Sequence, residues 1–161
     1  MKFELEDLMN AYGERLLRYA TGILYNSHDA EDVVQDVFIS ANQNSEKFDG
    51  ENVSAWLYKI TYNKSLNKLK RRKVLFFSDV GEIAVEGFSE SEDGDIFRAL
   101  RILKPQDRAL LYGRIMEDYS YDELAEQMGE SPAVLRKRYE RAKRKVAEHL
   151  SFNCELKGAI V

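Results

Sequence analysis

Residues Tyr121–Lys145 read YDELAEQMGESPAVLRKRYERAKRK. Leu124, Ala125 and Met128 give a short amphipathic helix, and Gly129 marks a tight turn after it. A second helix follows, with seven Lys/Arg between Arg136 and Lys145 against one acid, Glu140. A short helix, a tight turn and a strongly basic second helix define a helix-turn-helix. Arg136, Lys137, Glu140, Arg141 and Arg144 share one side of the basic helix, while Val134, Leu135, Tyr139 and Val146 are expected to pack inward. Arginine forks reach guanine O6 and N7 in the major groove, and lysines suit phosphates. The stretch therefore implies contact with duplex DNA. A hairpin of two helices with a merely solvated basic face is the plainer reading, and the tight spacing argues against it.

The rest of the chain reads as helix as well. Leu5, Leu8, Tyr12, Leu16, Tyr19 and Ile23 form one stripe. Ala30, Val33, Val34, Val37, Phe38 and Ala41 form a second, after a turn and cap at residues 26–29. Val53, Trp56, Leu57, Ile60, Leu66 and Leu69 form a third, and no alternating strand pattern competes. The expected fold is all-α, with a bundle of about three helices at residues 1–73 and a helix-turn-helix lobe at 95–150. Residues 74–94 read as an acidic linker and 151–161 as a tail of unassigned role. The second lobe restarts at Asp95: Ile96, Ala99, Leu100 and Leu103 make a short helix, and Pro105 suits the first turn of the next. Ser120 and Glu123 have the spacing of a capping box.

Charge is segregated along the chain. The net charge is −4, which is unlike a simple DNA-coating protein. Basic residues gather in Lys64–Lys73 and Arg136–Lys145, whereas Val74–Phe97 carries acids and no Lys or Arg. The linker also contains Phe76, Phe77 and Phe88, so it is not a purely flexible tether.

Other classes of function find little support. The single Cys154 excludes an internal disulfide framework and a cysteine-rich metal site, and His28 and His149 lie far apart. No triad, Gly-rich phosphate loop or metal-ligand spacing appears, so neither catalytic residues, a metal nor a cofactor is expected. The amino terminus, MKFELEDLMN, is acidic and amphipathic, unlike a signal peptide. No stretch approaches about 20 apolar residues, so a cytoplasmic protein without a membrane span is expected.

Two further stretches carry a surface. Asp29–Phe38, DAEDVVQDVF, turns Glu31, Asp32, Gln35 and Asp36 away from its apolar face. Such a face is ordinarily only solvated; it would repel phosphates and suit a basic protein partner. Lys47–Lys73 mixes Trp56, Tyr58 and Tyr62 with Lys59, Asn63, Lys64, Asn67, Lys68 and Arg71. Aromatics with amides and cations suit stacking on unpaired bases. Trp56 itself is expected in the core, and Tyr58 fits either place.

The order DAEDVVQDVF, WLYKITYNK with a basic tail, a linker, then YSYDELAEQMGESPAVLRKRYERAK resembles the extracytoplasmic-function (ECF) sigma factors of bacterial RNA polymerase. The resemblance covers roughly residues 5–150. It implies that the first lobe is region 2 and the second region 4, and that core RNA polymerase is the partner through its β′ clamp coiled coil and its β subunit. Asp29, Asp32, Gln35 and Asp36 would then meet the clamp, which gives the acidic face a partner. Phe48, Tyr58 and Asn63 would surround a flipped base of the −10 element, with Lys59, Lys64, Asn67 and Lys68 along the single strand. Ser131, Arg136, Lys137, Glu140, Arg141 and Arg144 would meet the duplex −35 element, with Arg138 and Lys143 as phosphate contacts or structural residues. The acidic linker would thread a basic RNA-exit channel, and an anti-sigma factor would be a regulator. The sequence departs from the family at Ala133 and Val134, where glycine and threonine are usual, at Asn67, where many relatives carry Asp, and at Gly113, usually leucine. The competing reading is a stand-alone helix-turn-helix regulator that binds duplex DNA unaided.

Overall fold

The computed structural model describes residues 4–48, 50–75 and 98–150. They belong to two compact units. Among the described residues the regular structure is helical throughout, so the all-α expectation holds. The linker from residue 76 onward, the start of the helix expected at Asp95 and the tail at 151–161 lie outside the described residues.

The amino-terminal unit contains α1 (Leu5–Leu24), α2 (Ser27–Gln43), a 3₁₀ turn at Ser45–Lys47 and α3 (Val53–Leu75). Tyr25 stops α1 in the left-handed conformation, at φ 52°, and its N–H donates to the Thr21 carbonyl. Asn26 then opens α2, its side-chain oxygen accepting the Asp29 N–H at 3.0 Å. Asn52 does the same for α3 through the Ala55 N–H, also at 3.0 Å. The three helices pack pairwise around Leu16, Tyr19, Ile23 and Leu24 of α1, Val33 and Val37 of α2, and Leu57 and Tyr58 of α3.

The buried face of α3 is not the aliphatic one the periodicity suggests. Alongside Leu57 it buries Tyr58, Thr61, Tyr62 and Ser65. The Thr61 hydroxyl donates to the Leu57 carbonyl at 2.8 Å, so it enters the core with its polarity satisfied inside its own helix. Trp56, by contrast, is only partly buried, which corrects the expectation that it belongs to the core.

The carboxy-terminal unit contains a helical segment at 98–100, α4 (Pro105–Ile115), α5 (Tyr121–Met128) and α6 (Pro132–Leu150). Pro105 stands in the first turn of α4, where a missing N–H costs nothing. Ala99, Leu100 and Leu103 close on Leu111, Ala142 and Val146 to form the core. The buried Arg108 donates to the Leu103 carbonyl at 2.6 Å and ties the segment before α4 to the helix. Arg138 grips Asp107 through Nε and Nη2, at 3.1 and 2.8 Å, and so fastens α6 to α4.

Gly113, where leucine is usual in the family, has a packing reason. A Cβ at this position would stand 2.7 Å from Cδ2 of the buried Leu124. The glycine therefore permits α4 and α5 to approach closely. Gly113→Ala gains about 1 kcal/mol of helix propensity and meets overpacking of about 1–3 kcal/mol. The expected net result is a loss of stability, read as faster amide hydrogen exchange across α4 and α5 in the full chain. Slower exchange in the variant would show that Leu124 swings clear and that the close approach is not limiting.

Candidate nucleic-acid interface

The helix-turn-helix is fixed at both of its joints. Ser120 Oγ accepts the Glu123 N–H at 3.1 Å and Glu123 Oε1 accepts the Ser120 N–H at 3.2 Å, the expected capping box. Gly129 ends α5 at φ 69°, a left-handed position that favours glycine. Ser131 Oγ then accepts the Val134 N–H at 3.3 Å and caps the start of α6. Its hydroxyl hydrogen can still be donated outward.

Leu135, Ala142 and Val146 of α6 are buried, which sets the opposite face toward solvent. Ser131, Arg136, Lys137, Glu140, Arg141 and Arg144 are all exposed there. Arg138 is engaged by Asp107 and lies 4.0 Å from Glu130, so it serves the fold. Lys143 pairs with Glu140 at 3.6 Å. Val134 does not pack inward: its side chain is exposed, and it sits on the flank of Lys137 and Arg141.

An aromatic support for the recognition helix was not legible in the sequence. The Tyr121 ring at the start of α5 carries the Arg136 guanidinium at 5.1 Å and that of Arg114 at 4.5 Å. Tyr139 meets Tyr121 edge-on at 6.1 Å. Arg114 is itself held by the Tyr119 carbonyl at 2.8 Å. A cation over a ring loses rotational freedom before any ligand arrives, so Arg136 is presented partly ordered.

In the amino-terminal unit, α3 displays two rows. Lys59, Asn63 and Asn67 are exposed and succeed one another at four-residue spacing. Trp56 stands at the head of that row and stacks on Phe48, ring centroids 5.0 Å apart and 28° from parallel. Phe48 is thus brought to the outward row, together with a tryptophan whose helical spacing points to the core. Lys64 and Lys68 form the second row, on the flank facing α2, where Lys68 lies 3.6 Å from Asp32. Tyr58 belongs to neither. It is fully buried, its ring 4.8 Å from that of Tyr19. Tyr58 as a direct base contact is therefore corrected: it builds the core beneath the row.

The acidic face of α2 is narrower than the sequence suggests. Asp29 turns its carboxylate into an ion pair with Arg72 of α3, and both side chains are about four-fifths buried. The expectation that Asp29 meets the polymerase clamp is corrected accordingly, since the group holds α2 to α3. Asp32, Gln35 and Asp36 remain exposed. One turn beyond Gln35 and Asp36, at the edge of the same face, stands Ile39, an apolar side chain 54% exposed.

Among the described residues no group of three or more His, Cys, Asp or Glu is placed to hold a metal ion, and no helix is long and apolar enough to cross a membrane.

Two family models match this chain, Sigma-70 region 2 over residues 8–74 and Sigma-70 region 4 over residues 93–146. Together they take in most of its length. The chain is 26% identical over 165 residues to the ECF RNA polymerase sigma factor SigE of Mycolicibacterium smegmatis, covering 91% of this chain and 61% of that protein. It is 30% identical over 84 residues to SigW of Bacillus subtilis, covering 52% and 45%. With SigM of Mycobacterium tuberculosis it shares 27% over 155 residues, covering 94% and 79%. The match thus spans less than two thirds of SigE and of SigW. The fold is similar to the sigma factor RpoE in its complex with the anti-sigma factor NepR from Bartonella quintana, with TM-score 0.78, 21% identity and coverage of 92% and 97%. It is also similar to CnrH in complex with the cytosolic domain of CnrY, with TM-score 0.70, 24% identity and coverage of 92% and 88%. Fold and matches define a sigma-70-type protein with regions 2 and 4. The chain belongs to the ECF group of that family.

Proposed function

We propose that this chain binds core RNA polymerase and directs it to promoters, α6 reading a duplex −35 element and the outward row of α3 capturing unpaired bases of the −10 element. The reading rests above all on one observation: a stacked pair of aromatic rings beside exposed amides and a basic helix-turn-helix occur in separate units of the same chain. Phe48 and Trp56 supply ring faces, Asn63 and Asn67 supply amides, and Lys59 supplies charge for the strand. Capture of an extruded base offsets an unstacking cost of a few kcal/mol. Residues 1–73 would act as region 2 and 95–150 as region 4, with the acidic segment 74–94 between them. The sigma factor RpoE has been solved with the anti-sigma factor NepR, and CnrH with the cytosolic domain of CnrY. An anti-sigma factor is accordingly part of the proposal here, as is the cytoplasm where polymerase and promoter DNA meet. A stand-alone regulator has no use for the acidic face or the stacked rings and is not favoured.

Run-off transcription from a genomic fragment library, with bacterial core polymerase and with or without this chain, tests the reading. Discrete new starts preceded by a shared two-part motif support it. Direct duplex binding by the chain alone, with no new starts, overturns it.

Polymerase docking is assigned to Asp32, Gln35 and Asp36 with Ile39 at their edge. Exposed apolar surface beside charged groups is ordinary in a protein interface. Asp32→Lys with Asp36→Lys places like charge against a basic partner surface and is expected to weaken holoenzyme formation by more than about tenfold. Helix content should not change, because both side chains are exposed. Holoenzyme formation at the original affinity would remove this face from the proposal.

A further inference from the structure

Val134 presents an aliphatic side chain to solvent, 42% exposed, in the first turn of α6. Its backbone N–H is held by Ser131 Oγ, so its place at the head of the helix is fixed. Lys137 and Arg141 follow three and seven residues later on the same flank, and both are exposed. An apolar group framed by two cations suits a polyanion better than a basic or apolar protein surface. In a helix-turn-helix the amino-terminal residues of the second helix reach the base edges. The major groove offers an aliphatic side chain one apolar group, the 5-methyl of thymine. Valine has no donor or acceptor with which to read anything else.

We infer that Val134 is a specificity-determining residue that packs on the 5-methyl group of a thymine in the upstream promoter element. The inference rests on the promoter-reading function proposed above and adds a chemical identity to one position of the element. Lys137 and Arg141 hold the flanking phosphates or base edges and set the depth at which the side chain enters the groove.

The test uses holoenzyme assembled from core polymerase and the full chain, on a promoter taken from a mapped run-off start. Each thymine of the upstream element is replaced singly by uracil, which removes the methyl and leaves every hydrogen-bonding group. Binding is expected to weaken about fourfold at one thymine, the scale of a single methyl group returned to water. Val134→Ser removes both methyls from an exposed position and leaves the core untouched. It is expected to bind the thymine site as weakly as the unaltered chain binds the uracil site, with no difference between the two sites. Indifference of the unaltered chain to every uracil, an equal penalty in both proteins, or an upstream element without thymine overturns the inference. A loss of polymerase binding in Val134→Ser would make Val134 a protein contact and overturn it too. Specific starts that ignore uracil would leave the proposed function standing; no specific start on any template would remove both.

Discussion

Tyr58→Ala is expected to unfold the amino-terminal unit. The side chain is fully buried, and its ring lies 4.8 Å from that of Tyr19 at a 56° tilt. Truncating a buried aromatic to alanine costs about 3–5 kcal/mol, because lost burial and the cavity left behind act together. Whole domains are stable by only about 5–15 kcal/mol, and a bundle this small stands at the low end. The measurement is a urea titration of the full chain followed by fluorescence. Trp56 is the single tryptophan, so emission excited at wavelengths that tyrosine does not absorb reports this unit alone. A strongly lowered midpoint or a missing folded baseline is the expected outcome, with loss of polymerase binding and promoter opening together. An unchanged midpoint would return Tyr58 to the surface and restore it as a base contact.

Arg136→Ala carries the second large effect. Its guanidinium is exposed on α6 and partly ordered by Tyr121. Loss of a bidentate guanine contact costs about 1–3 kcal/mol, or roughly fivefold to more than a hundredfold in affinity. The loss should concentrate on promoters that depend on the upstream element and fade where the downstream element alone suffices. Run-off transcription on paired templates, with and without that element, measures it. Equal loss on both templates would assign Arg136 to the phosphates or to the fold. Equal activity on both would remove it from the interface.

The helices were legible because their ends are written in local chemistry. Asn26, Ser120 with Glu123, and Gly129 each act within four residues, a range that sequence displays directly. The exposed row of α6 was legible too, since Leu135, Ala142 and Val146 fix which side turns inward. What escaped depended on partners distant in sequence or on residues that disguise burial. Thr61 and Ser65 look solvent-facing, yet they line the core beside Tyr58, and this turns Trp56 outward against expectation. Asp29 counted as one acid among several until Arg72, 43 residues away, claimed it. Val134 was placed inward by its hydrophobicity, though the helix has no core on that flank. Arg114, Tyr121 and Arg136 come from three helices, and no spacing rule joins them.

The two ends of α5 are closed, one by reciprocal capping and the other by a left-handed glycine. An eight-residue helix pinned in this way cannot lengthen, fray or slide by a residue without breaking a cap. A single inserted residue would rotate everything after it by about 100°. The aim of α6 is therefore set by the length of its neighbour, and its vocabulary by the side chains it carries. New promoter preferences are open to this scaffold by exchanging letters on the exposed face, and closed to it by shifting the frame.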